Sequence, residues 1–258
     1  MATPITALLI AAACAAQSPR PVFEAFEVAT IKPALTPPAG RYIRMQSAHR
    51  FYAKNYTLKL LVGAAYNLTP NAISGGPAWI ETEPFDILAG TPGELRPNND
   101  EQMAMLRKLL ADRFQLTFHR EPKQLPVYAL TVGKAGSRLK ESASDPDAQP
   151  DIVNVLFPDH VTLPARNATM AQFTSMLQRA VLDRTVLDQT GLTGRYDFDL
   201  EWTPDETQFA GNGPKATSES TRPDLFAAVQ IQLGLRLEAT KGPVQTIVID
   251  KVEKPSEN

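Results

Sequence analysis

Cysteine occurs once in these 258 residues, at Cys14, so no disulfide can form within the chain and packing must hold the fold together. Neither sign of charge is in excess. The 26 basic and 28 acidic residues leave a net charge of −2, without the basic surface that a phosphate backbone demands, which argues against nucleic acid as a partner. No apolar run approaches the roughly 20 residues needed to cross a bilayer. Histidine is scarce too: His49, His119 and His160 fall on strand or turn positions, and none has a ligand partner at metal spacing. His119 follows Phe118 in an alternating strand and should face solvent. GxSxG, GxGxxG after a strand, P-loop and HExxH patterns are all missing. No cofactor or metal is therefore expected, and serine catalysis would need a histidine base that nothing in the sequence supplies.

What is present begins with MATPITALLIAAACAA, whose apolar stretch Ile5 to Ala16 has the length and small-residue finish of a secretory signal. Residues 1–16 are read as a signal peptide, the alternative being an apolar first strand or helix. A secreted or periplasmic protein is expected. Lipid anchoring at Cys14 ranks lower, because Ala11 stands where the acylation pattern has leucine.

The rest of the chain repeats itself. FYAKNYT (51–57) and LPARNAT (163–169) match at Ala53 and Ala165, Asn55 and Asn167, Thr57 and Thr169, at a constant offset of 112. Each is followed by apolar residues at helical spacing, with Thr57 and Thr169 placed to cap the helix start. GGPAWIETEPFDILAG and TGLTGRYDFDLEW then carry Asp86 and Asp197 in like positions. A second helix follows in each, from near Asp100 and from the capping-box-like Thr221 to Asp224. Residues 113–132 and 235–252 alternate polar and apolar around Pro126-Val127 and Pro243-Val244, and each reads as a closing hairpin.

The expectation is an α+β fold of two tandem similar units, each strand-helix-strand-helix-hairpin, with helices on a mainly antiparallel sheet. Residues 17–140 form the first unit, with a leading strand at 26–34. Residues 141–151 read as a linker, and 152–258 form the second unit, with a mobile loop at 205–222.

The pieces FEVATIKPA, LLADRFQLTFHREPKQLPVYALTV, TVLDQTGLTGRYDFDLEW and VIDKVEKPSEN resemble an uncharacterised exported family expanded in Acidobacteria and related soil bacteria, a Solibacter-type domain of unknown function. Some members carry the region beside membrane zinc peptidases of the antirepressor type, which implies sensing or interaction. This chain has no HExxH motif. In strand order the units are also similar to the short N-terminal domains of secretins and TonB-dependent receptors. The family implies no catalytic residue.

Two sets of residues remain. Asp188, Thr190, Gly191, Gly194, Arg195, Asp197 and Asp199 form the densest polar cluster. A catalytic or calcium-binding carboxylate pair is one reading, but turn residues bonding local backbone are preferred, since Asp86 and Asp197 recur at equivalent places. Trp79 and Trp202 are the candidates for an interaction surface, since an indole pairs a large apolar body with a polar edge. The sequons at Asn55, Asn67 and Asn167 mean little in a bacterial host. A non-catalytic binding or interaction module for an envelope protein or peptide is the leading expectation. The competing readings are an envelope hydrolase using acidic residues of 188–201 in an inter-unit cleft, and a ligand-sensing domain working with a membrane peptidase.

Overall fold

The computed structural model describes residues 22–34, 40–145, 148–211, 213–214 and 221–255. The expected signal peptide and Cys14 lie outside them. Strand period dictates the first sheet: in β3 (Arg50–Thr57) and β5 (Pro84–Gly90), alternate side chains Phe51, Ala53, Phe85, Ile87 and Ala89 are buried. With β1 (Val28–Pro33) and β2 (Tyr42–Ser47) they form an antiparallel sheet in the order β1-β5-β3-β2. Short β4 (Ile73–Gly75) joins a different sheet.

Helix α1 (Leu58–Tyr66) starts where Thr57 accepts from the Leu60 amide and stops at Asn67, which adopts the left-handed conformation. A single helical turn, α2 (Trp79–Thr82), precedes β5. Helix α3 (Asn99–Arg113) opens with a reciprocal capping box between Asn98 and Glu101 and buries Met103, Leu106, Leu109 and Leu110, the stripe expected from its sequence.

The second sheet is built alike. Strands β7 (Lys140–Glu141), β8 (Asp151–Ile152) and β9 (Val155–Leu156) border β10 (Val161–Ala168) and β12 (Tyr196–Trp202), in the order β7-β12-β10-β8 with β9 also on β10. Helix α4 (Met170–Met176) begins with a Thr169–Gln172 capping box and runs into a π-helical turn, Leu177–Val181. Strand β11 (Val186–Asp188) follows, and α5 (Leu225–Leu233) is capped by Asp224 and ends at left-handed Gly234. Only glycine suits that site, because a Cβ there would lie 2.3 Å from the Gly136 carbonyl oxygen.

Both main strand pairs carry the same irregularity. Ala53 faces Ile87 and Tyr56 faces Phe85 with a bulge between, and Ala165 faces Phe198 and Ala168 faces Tyr196 with a bulge between. The bulged residues Asn55 and Asn167 have φ of 57° and 53°. Their amides donate to Asp86 Oδ1 and Asp197 Oδ1, each at 2.8 Å. A bulge frees one backbone N–H from the ladder, and the adjacent aspartate accepts it.

The closing segments are not hairpins. Thr117–Val132 is one 16-residue strand, β6, and Leu235–Lys251 is one 17-residue strand, β13. They pair with each other, antiparallel, from Val132↔Leu235 to Thr117↔Lys251. Pro126 and Pro243 lie in the middle of this ribbon, opposite Lys241 and Gln124. Each segment satisfies its backbone through the other, so no turn is needed. β4 adds in parallel to Ile247–Ile249, and β11 adds in parallel to Tyr128–Leu130.

This exchange divides the core. One cluster joins β3, β5, α1 and α3 to Ile247 and Ile249 from the far end of the chain. The other joins β10, β12, α4 and α5 to Tyr128 and Leu130 of β6. On the opposite face of the ribbon's centre, Val127 and Val244 pack with Ala72. Burying Ile247 and Ile249 removes about 1.5–3 kcal/mol of apolar exposure apiece, so the first core depends on the second half of the chain.

The described residues of the segments expected to be a linker and a mobile loop make contacts with the second half. Segment 141–151 leaves β7 with the Ser142 amide donating to the Arg195 carbonyl, and Asn167 Nδ2 donates to the carbonyls of Asp145 and Ala148. Within 205–222, Gln208 is buried, and Phe209 stacks on Trp202 at 6.4 Å.

Candidate functional site

A concavity lies where α1 of the first half faces the π turn of the second. It encloses about 590 Å³, within the range of small-molecule sites. Beside it the halves are tied by polar contacts: Gln178 Nε2, from a residue on the lining, donates to the Asn67 carbonyl at 2.7 Å, and Ser175 Oγ donates to Asn67 Oδ1 at 2.9 Å. Gln178 Oε1 in turn accepts from the Val186 amide. Asn67 can offer both oxygens because its left-handed conformation ends α1 and turns the chain. On the same wall Gly63 permits close approach, since a Cβ would lie 2.8 Å from the Leu68 carbonyl oxygen.

The walls are apolar, with Ile43, Leu60, Met103, Met176, Val181 and Phe209 among them. Into this lining project Arg41, Arg179 and Tyr56. The Arg41 guanidinium sits 5.8 Å from the centre of the Tyr56 ring. Burial pushes the Tyr56 hydroxyl pKa up, and the positive charges of Arg41 and Arg179 act against that rise. Arg179 is exposed at the cleft mouth, and the protein mass around it biases its pKa downward. Its Nε donates to the Ser175 carbonyl at 3.4 Å.

The arrangement can hold a ligand that is partly apolar and partly polar. Asp183 is the carboxylate on the lining, and it is engaged by Arg184 at 3.3 Å and by the Tyr128 hydroxyl at 3.4 Å. Among the described residues no group of three or more His, Cys, Asp or Glu is placed to hold a metal. Phe209 and Ala210 at the rim have φ of 54° and 53°, conformations that cost energy in residues with a Cβ.

The residues singled out in the sequence lie elsewhere. Trp202 is fully buried in the second core and donates from Nε1 to Gln208 Oε1 at 2.8 Å. It is not an interaction surface, because its polar edge is satisfied internally. Trp79 is half-buried on α2, edge-on to Phe85 and 5.8 Å from Lys254 Nζ. Asp188 Oδ1 accepts from the amide and hydroxyl of Thr190, whose own Oγ1 accepts from Leu192 N. Gly191 has φ of 68°, and a Cβ on Gly194 would lie 2.9 Å from the Tyr196 hydroxyl.

Asp197 is held below the usual carboxylate range, first by the Asn167 amide and then by the Ser142 hydroxyl. Asp199 pairs with Arg166 at 2.9 Å, and Arg195 Nη1 donates to the Asn167 carbonyl. Asp86 also accepts from the Tyr52 hydroxyl. None of Asp188, Asp197 and Asp199 lines the cleft.

His119 is exposed, between Asp250 at 2.7 Å and Glu121 at 3.3 Å, and these contacts raise its pKa. His160 stacks on Phe157 and bonds Asp159 at 2.7 Å. Arg41, Tyr56 and Arg179 went unnoticed in the sequence. The available signal was Arg179 alone, a cation interrupting the apolar run Met176-Leu177-Gln178-Arg179-Ala180-Val181-Leu182.

No helix among the described residues is long and apolar enough to cross a membrane. No curated protein and no solved structure matches the chain. A family model described as a protein of unknown function, DUF3738, matches residues 59–252, well over half of the sequence and both halves of the fold. The chain belongs to that family.

Proposed function

We propose that this protein is a non-catalytic binding module, exported to the cell envelope or beyond it, whose ligand sits in the cleft between α1 and the π turn. The supporting observation is the cleft of about 590 Å³, with apolar walls and with Arg41 and Tyr56 of the first half and Gln178 and Arg179 of the second on one lining. Export rests on the apolar run Ile5 to Ala16 and its small-residue end. Kinship with exported soil-bacterial members, including those expanded in Acidobacteria, rests on the sequence pieces quoted above.

A duplication of one α+β unit accounts for the paired features: bulged Asn55 and Asn167, capping Thr57 and Thr169, and acceptors Asp86 and Asp197 in matching register. Duplication also accounts for a site at the join, where two copies can diverge. An envelope peptide or protein segment is the partner class this reading favours. The hydrolase reading loses its support, because the carboxylates of 188–201 serve backbone and arginine groups away from the cleft.

Native mass spectrometry after incubation with a low-molecular-weight envelope extract tests the proposal. One adduct is expected on the wild type and none on Ala64→Trp, which fills the cleft. An adduct that persists in a correctly folded Ala64→Trp places binding elsewhere and refutes the reading.

A further inference from the structure

The cleft holds more positive charge than its own residues neutralise. Arg41 and Arg179 both reach the Tyr56 neighbourhood, and neither forms an ion pair among the described residues. Asp183 is occupied by Arg184 and Tyr128. Asp100, at the start of α3, acts on Arg179 through space without an ion-pair contact. Two guanidiniums that line one cleft without ion pairs leave it positively charged, and an anion seated beside them gains charge-assisted hydrogen bonds.

From this we infer that the cleft is a carboxylate site, with Arg41 and Arg179 gripping the carboxylate around Tyr56 while the apolar wall takes the body of the ligand. The inference rests on the binding-module reading and specifies its ligand class. The planar fork of a guanidinium matches a carboxylate's two oxygens. A polyphosphate fits less well, because no lysine lines the cleft and Leu60, Met103, Met176 and Phe209 present apolar surface there. Two sources share the required chemistry: a fatty acid, and the free C-terminus of an apolar peptide.

Isothermal titration calorimetry on the whole chain distinguishes them. The probes are decanoate with decanol as its neutral counterpart, and N-acetyl-trileucine with its C-terminal amide. At least one carboxylate is expected to bind roughly tenfold or more tightly than its neutral counterpart, as hydrogen bonds to charged groups imply. The tighter of the two names the source. Arg179→Gln and Arg41→Gln should each lower carboxylate affinity by a similar factor and leave binding of the neutral counterpart unchanged.

Tyr56→Phe, which keeps the ring and both arginines, should retain most of the preference for carboxylate. Equal affinity for acid and neutral forms, or unchanged affinity in a folded Arg179→Gln protein, overturns the inference. If neither carboxylate binds while the extract adduct disappears in Ala64→Trp, the carboxylate assignment falls and the cleft reading stands. If that adduct is also unaffected, both fall.

Discussion

Asp86 and Asp197 each give one carboxylate oxygen to the amide of an asparagine in the left-handed region. Removing such an acceptor leaves a backbone N–H without its partner, so Asp86→Ala should lower stability by about 1–3 kcal/mol, read as a shift of the urea midpoint with unchanged m. Asp197 has a linked consequence for pH. Its folded pKa lies below the unfolded value because the Asn167 amide favours the charged form. The stability it contributes is therefore present above the ordinary aspartate range near about 3.9 and disappears as pH falls through the lower folded value. Urea midpoints between pH 5 and pH 2.5 should decline less steeply in Asp197→Asn than in the wild type, and equal slopes would deny the linkage. At this scale the sequence was informative where chemistry is local. A threonine before an apolar helix and an aspartate among glycines bond residues two to three positions away, as Thr57, Thr169 and Asp188 do. It was uninformative for Trp202, because its partners Gln208 and Phe209 sit in a segment whose polar composition suggests mobility.

Among the elements, the helices were legible because their starts and apolar stripes are local features. The ribbon was not, for a reason of parity. A single long strand and a hairpin both alternate polar and apolar residues, and the Pro-Lys-Gln and Lys-Gly stretches of β6 and β13 read equally well as turns. What decides between them is a partner over a hundred residues away, since Thr117 pairs with Lys251 and Val132 with Leu235. The cleft shares this origin: its lining takes Arg41 from the first half and Arg179 from the second. An element crossing into the other half must carry weight there. Ile247→Ala, in the first core though encoded near the C-terminus, should cost about 2–5 kcal/mol, as other large-to-small core changes do. Leu61→Ala, at a resident position of the same core, should fall in the same range. A loss under about 1 kcal/mol for Ile247→Ala, well below that expected of a core truncation, would mean that the exchanged strand is peripheral.

For the molecule as a whole, the exchange removes the independence expected of two tandem units. Residues 17–140 alone would lack Ile247, Ile249 and the entire partner of β6, leaving sixteen residues of strand with open backbone groups. Residues 141–258 alone would lack Tyr128, Leu130 and the partner of β13. Each fragment has most of a core but must pair its long strand with something. The available solutions are aggregation or pairing with the complementary fragment. Expressed separately, the fragments should show weak near-ultraviolet circular dichroism and broad thermal transitions. Mixed at equal concentration, they should recover one cooperative transition whose midpoint rises with concentration, because association and folding are then the same event. A sharp, concentration-independent transition in either fragment alone would show that its closing segment can fold back as a hairpin, and that the ribbon joins two domains already complete.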